Sequence, residues 1–463
     1  MERVAARMDR VADWTVASLT PASQPGRRRL VAGGVTVAST RSEVLWAVLE
    51  QAWEQLGFDQ LGDATFKKVC LARVVEPTSK ADSIRVLAEL GVDPPGLRTI
   101  FRMLDRCGER GYRDRLAGAC MAASARSGRA AFVMYDVTTL HFEIDDEDDQ
   151  RRVGLSKEHR VDPQVQVGLL VDPTGFPLEV RMFPGNQAET TSLIPVLAQF
   201  KTRHGVTDVI VVADAGMLSA SNLNNLEDAG YQFIVGSRIS KAPYDLAEHF
   251  DRCGDYFTDG QILESARVMG VGRAARTRRV VYQYSFKRRQ RDYKTINQQI
   301  ERAERIMAGT TPVKNARFLQ VSGARRSLNQ ATIDRARQLS GLKGYVTNLP
   351  AIDMPGRQVI AAYHDLYKVE ESFRMTKSDL RARPVHHHEL DNIEAHITIV
   401  FAALAVARHL QHATGWTIKH LVKHLRPLRS AIIQVNGGQL VAPPQIDADT
   451  TTLLNRINQD TGH

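Results

Sequence analysis

The stretch TDVIVVADAGM at 207–217 restricts the fold more than any other. Val209 to Ala213 form an unbroken apolar run, so a strand built from them has no face for water and must be covered on both sides. An acid, Asp214, ends the run, and a glycine follows shortly. AFVMYDVTTLHFEI repeats the design, with Asp136 closing the run from Phe132 to Tyr135. After a polar loop, QVQVGLLVDPTGFPLEVRMF has the turn signals of an antiparallel meander, and the helical pattern of ETTSLIPVLAQFKTRHG leads into the first run. FIVGSRIS and GLKGYVTNLP add strand candidates. Covered strands alternating with helices predict an α/β fold, a mixed sheet flanked by helices.

Around that core the pattern divides the chain. Residues 1–40 contain TPASQPGRRRLVAGG and read as a basic arm or lead-in, and 41–127 as a helical region suited to binding DNA or to a plain bundle. Residues 128–240 and 341–411 carry the two parts of the core, 241–340 an inserted, β-rich subdomain of strands and a helix, and 412–463 a helical or tail region. A length of 463 residues, 43% hydrophobic and 24% charged, suits a soluble globular protein. The net charge of +9 and pI near 9.4 favour a polyanionic partner. Cys70, Cys107, Cys120 and Cys253 form no paired motif, which points to buried thiols in a reducing cytoplasm. There is no apolar leader, and ITIVFAALAVA at 397–407 is too short to span a bilayer, so the expected location is cytoplasmic, with no membrane partner. GVGRAA at 270–275 lacks the glycine pattern of a dinucleotide site and no Walker A run occurs, so no nucleotide cofactor is expected.

The chemistry gathers around YHDLYKVEESFRMTK at 363–377. Read as one helix, the spacing of seven puts Tyr363, Glu370 and Lys377 on one face, with Tyr367 and Arg374 on the same side. Such a helix also suits ordinary solvent-facing ion pairs, and an acid at a strand end is often only a turn residue. Together, Asp136, Asp214 and Glu370 are what two hard divalent cations about 3.5–4 Å apart require: carboxylates on rigid elements, with no His or Cys cluster. Glu371 lies about 100° further round the helix and is expected to be dispensable.

These residues carry a resemblance. Tyr363, Glu370 and Lys377 fall at three of the four offsets of the Y-x2-R-x3-E-x6-K signature of bacterial DDE transposases of the insertion-sequence-four class, with Leu366 in place of the arginine and Arg374 as the nearby cation. MYDVTTL, GLSKEHRVDPQVQVGLLVDPTGFPLEVRMFPGN, VVADAGMLSASNL, FIVGSRISK, GYVTNLP and LRARPVHHHELDNIEAH resemble the same family in order, over about 130–410. The resemblance implies an RNase H-like catalytic core with a β-rich insertion between the second aspartate and the glutamate. It implies Asp136, Asp214 and Glu370 as catalytic residues holding two Mg²⁺ ions, for which Mn²⁺ can substitute. It implies strand cleavage at terminal inverted repeats followed by attack of the freed 3′-hydroxyl on target DNA, by a protein dimerised in a synaptic complex. Tyr363, Lys377 and Arg374 would then hold DNA phosphates.

Weaker signals surround this set. The loop carrying Lys157, His159 and Arg160 is a candidate DNA contact or merely solvated, and KRRQRDYK at 287–294 reads equally as a nucleic-acid patch or a solvated face. His386, His387 and His388 are consecutive and cannot all face one ion, so a turn is expected there. Two rivals stay open: an RNase H-like nuclease without strand transfer, and an inactive descendant that only binds DNA.

Overall fold

The computed structural model describes residues 36–459 apart from 128–131, 142–147, 149, 153–161, 187–188, 207–208, 216–218, 311–315, 323–324, 383–389 and 436–437. Strand β1 (Thr36–Arg41) precedes five helices, α1 (Glu43–Gln55), α2 (Ala64–Val75), α3 (Ser83–Glu89), α4 (Leu97–Glu109) and α5 (Tyr112–Arg126). These gather an aromatic centre in which Trp53, Phe58, Phe66 and Tyr112 stack edge to face or tilted. Asp63 caps α2 by accepting from the Phe66 amide and also receives Arg106 and the Tyr112 hydroxyl.

The central sheet follows. Its members are β2 (Phe132–His141), β3 (Gln164–Val171), β4 (Pro177–Pro184), β5 (Ile210–Ala213) and β6 (Gln232–Ser237), with α6 (Glu189–His204) before β5 and α7 (Ala220–Asp228) after it. After the short helices α8 (Ala242–Asp245) and α9 (Ala247–Cys253) come β7 (Ile262–Met269), β8 (Arg276–Tyr284), α10 (Phe286–Met307), β9 (Leu319–Ser322), β10 (Arg325–Leu328), α11 (Gln330–Gln338) and β11 (Leu342–Thr347). The sheet has eight strands in the order β4-β3-β2-β5-β6-β11-β8-β7. Only β2-β5 and β5-β6 pair in parallel. All eight residues of β3 are buried, as an inner strand covered on both faces requires.

The segment 241–340 departs from the expected β-rich subdomain. Its β7 and β8 extend the main sheet through β11. What remains is chiefly helical, and α10, α11 and the β9–β10 hairpin close a small core of their own on Ile296, Phe318 and Ile333. A polar, strongly basic sequence hid this, because only a few positions of the long helix α10 are apolar.

The chain then enters α12 (Gly356–His364), α13 (Tyr367–Arg374), α14 (Leu390–Thr414), α15 (Ile418–Leu425), β12 (Ser430–Val435), β13 (Gly438–Ala442) and α16 (Ala448–Gln459). Helix α14 contains the apolar run noted above. It has the length and composition to cross a membrane, yet most of it is buried against α1, α2, α4, α5 and β4. The C-terminal region is tied to the start of the described chain: β12 pairs with β1 on one side and β13 on the other. Thus 36–41, part of the expected lead-in, is a strand.

Candidate active site

Strands β2 and β5 set the first two acids. Their parallel register places Met134 opposite Val212, the last pair before β5 ends at Ala213, so each acid follows that pair by two residues along its own chain. The sequence reading put both acids at strand ends, and this holds for Asp214 only. β2 runs on to His141 because β3 keeps pairing with it after β5 stops. Asp136 accepts from the following amide of Val137 at 2.9 Å, and Asp214 from that of Ala215 at 2.6 Å.

The segment 363–377 is not one regular helix. Between α12 and α13 the amides of Leu366, Lys368 and Val369 reach back three residues, to the carbonyls of Tyr363, Asp365 and Leu366, which overwinds the chain. After α13 a π turn, Met375–Asp379, underwinds it. The even spacing of seven therefore does not translate into one straight face. Val369 and Phe373 bury the inner side of α13 over β2 and β3, Leu366 packs partly buried against the core, and Glu370 is exposed in the first turn.

Tyr363, at the end of α12, is buried and donates its hydroxyl to Asp214 Oδ1 at 3.0 Å. Its ring lies 4.9 Å from that of Tyr345. The approach requires Gly236 on β6, where a Cβ would stand 2.6 Å from the Tyr363 hydroxyl. Burial, then the Asp214 carboxylate, pushes the Tyr363 phenol well above its ordinary pKa, so it remains a donor.

Asp214, Tyr363 and Glu370 line an open cleft of about 690 Å³ together with the cations Lys343, Arg288 and Arg291. Lys343 of β11 sits with Nζ 5.1 Å from the centre of the Tyr363 ring. Burial and neighbouring Arg288 lower its pKa, while Asp214 opposes the shift. Arg288 and Arg291 come from the first turns of α10, where Ser285 caps the helix by accepting from the Arg288 amide at 3.4 Å. Part of the basic run 287–294 is thus placed in the same cleft as the acids. Lys343 escaped the sequence reading, although a single cation in the otherwise apolar GLKGYV was its signal.

The remaining candidates are dispersed. Arg374 is exposed at the end of α13, and Lys377 lies in the π turn, outside the lining of this cleft. Lys157, His159, Arg160 and His386 to His388 fall outside the described residues. Glu371 faces away from the cleft and is not idle: it pairs with the buried Arg408 at 3.3 Å and accepts from Gln411 at 3.4 Å. The expectation of dispensability did not foresee this structural partner: an acid a residue further round meets a buried guanidinium rather than water.

For a hard divalent cation the donors fit in kind, being carboxylate oxygens, and Asp214 and Glu370 line the same cleft. Among the described residues, however, no three Asp, Glu, His or Cys side chains converge as a ready metal cage, and Asp136 is not part of the cleft lining.

Residues 129–406 match the family described as a transposase DDE domain. Among solved structures, the chain is similar to a piggyBac transposase synaptic complex with hairpin DNA, at 10% identity and a TM-score of 0.38, over 83% of this chain and 70% of that one. No curated protein sequence matches.

Proposed function

The chain belongs to the transposase DDE-domain family, and from that premise we propose that it is the transposase of a bacterial insertion sequence of the insertion-sequence-four class. It would bind the terminal inverted repeats of its element in the cytoplasm as a dimer, cleave them, and join the freed 3′-hydroxyls to target DNA. The observation that carries this reading is the cleft that Asp214 and Glu370 share with Lys343, Arg288 and Arg291.

A phosphodiester entering that cleft meets both the cations, which attract and orient its backbone, and the acids. Asp136, Asp214 and Glu370 would hold Mg²⁺, which when bound makes water or a hydroxyl a better nucleophile and neutralises the leaving oxygen. Tyr363 keeps one Asp214 oxygen directed by its hydrogen bond, leaving the other oxygen for a ligand. Buried Val369 and Phe373 fix the turn from which Glu370 projects.

The test is strand cleavage on labelled duplexes spanning the native flanks of the coding region, with Mg²⁺ or Mn²⁺. Wild type should cut at a flank boundary and transfer the new 3′ end to a second duplex, and Glu370→Gln should do neither. Metal-dependent cutting without any joined product would replace this reading with a nuclease. Binding without cutting under either metal would leave a DNA-binding descendant.

A further inference from the structure

Among the described residues, Arg381 is the only non-glycine with a left-handed backbone, at φ 42°. It terminates the π turn that follows α13, a position where glycine is the usual choice. The conformation is held from another part of the chain. Arg73 of α2 is buried and donates Nε to the Leu380 carbonyl at 2.9 Å and Nη2 to the Arg381 carbonyl at 2.6 Å. Leu380 and Ala382 on either side are buried, so the flanking chain is anchored while the Arg381 side chain is left exposed. An unusual backbone kept by a dedicated buried guanidinium invites a functional reading.

Arg381 opens into a groove of about 740 Å³ between the end of α2, the π turn and α15. Lys419, Lys423, Arg426 and Arg429 line it with Arg381, and Asp379 is the sole acid in the lining. Three of these cations are engaged: Lys419 with Asp379, and Arg426 and Arg429 with Glu89. Arg381 and Lys423 make no ion pair or side-chain hydrogen bond among the described residues. The floor is apolar, with Val75 and Val422.

We propose that this groove is a second nucleic-acid site, separate from the cleft, in which Arg381 and Lys423 hold backbone phosphates of duplex DNA flanking the reacting position. The proposal rests on the transposase reading above. Cations from separate elements around an open groove suit a repeating line of phosphates better than a single anion. Position agrees: Arg381 follows Glu370 by eleven residues, just past the π turn that ends α13.

The experiment is equilibrium binding of the full chain to a labelled native-flank duplex across a salt series, comparing wild type, Arg381→Gln/Lys423→Gln and Arg381→Gly. Two lost phosphate contacts should make the slope of log affinity against log salt shallower by about 1.8, and Arg381→Gly by about 0.9. Arg381→Gly suits the left-handed backbone, so a loss there reports the missing charge. Thermal unfolding of the double variant should match wild type. If wild type binds and both groove variants share its slope and affinity, the second site is overturned while the transposase reading stands. If the double variant binds DNA normally but changes the sedimenting oligomer, the groove instead receives an acidic surface of a second copy. If wild type binds no duplex, the transposase reading fails and takes the second site with it.

Discussion

Glu370 and Glu371 are adjacent in sequence and meet different surroundings on the two sides of α13. Glu371 looks toward a polar cleft behind the helix, where Arg408 binds it and also donates to the Gly175 and Lys368 carbonyls and to Ser372 Oγ. Glu370 looks into the front cleft and has no ion pair or hydrogen bond among the described residues, sharing the cleft with Asp214 and with the cations Lys343, Arg288 and Arg291. The back side spends its charge on holding the helix over the β3–β4 turn. Gly175, at φ 82°, belongs to that arrangement, because a Cβ there would meet the Arg408 guanidinium. The front side leaves charge uncommitted at a position the back side has made rigid.

The comparison breaks first at Glu370. Glu370→Gln should lower metal-dependent strand cleavage by on the order of 10²–10³-fold with unfolding unchanged within about 0.5 kcal/mol. A stability loss comparable to that of a back-side variant would erase the distinction. Arg408→Ala leaves several buried acceptors and one carboxylate without their donor, and should cost about 3 kcal/mol in denaturant unfolding. Cleavage should fall with it only as the helix loosens. Glu371→Gln keeps an acceptor and sits partly in solvent, so it should cost less than about 1 kcal/mol and leave cleavage near wild type.

Tyr363 gives the finest test. Its folded pKa is raised, so its contribution is fully present below the ordinary phenol value near 10 and is lost as pH climbs through the raised value. Tyr363→Phe should flatten part of the alkaline decline in stability, measured by denaturant unfolding across that range. An unchanged decline would mean the phenol does not depend on Asp214 and burial as described.

Much of this was legible locally. The apolar runs ending at Asp136 and Asp214 mark two covered strands, and the order of strands and helices marks an α/β core, because burial on two faces demands that composition wherever it occurs. The helical reading of 41–127 likewise follows from periodic apolar residues that meet around Trp53 and Phe66. The insertion was misjudged because α10 buries few residues, so its amphipathic signal is faint against its charge. The straight face through Tyr363, Glu370 and Lys377 failed because hydrogen-bond partners, not spacing, decide where a helix tightens or loosens.

By itself the sequence determined the sheet-forming segments, the two aspartates that close their apolar runs and the acid-bearing helix, since each rests on a pattern within a short window. Tertiary structure alone decided that the strands leading to Asp136 and Asp214 pair in parallel, that Tyr363 reaches Asp214 rather than solvent, and that Lys343 and α10 contribute cations to the same cleft. It also decided the fates of two adjacent glutamates, because a rotation of about 100° on one helix turns one toward a buried guanidinium and the other toward an open cleft.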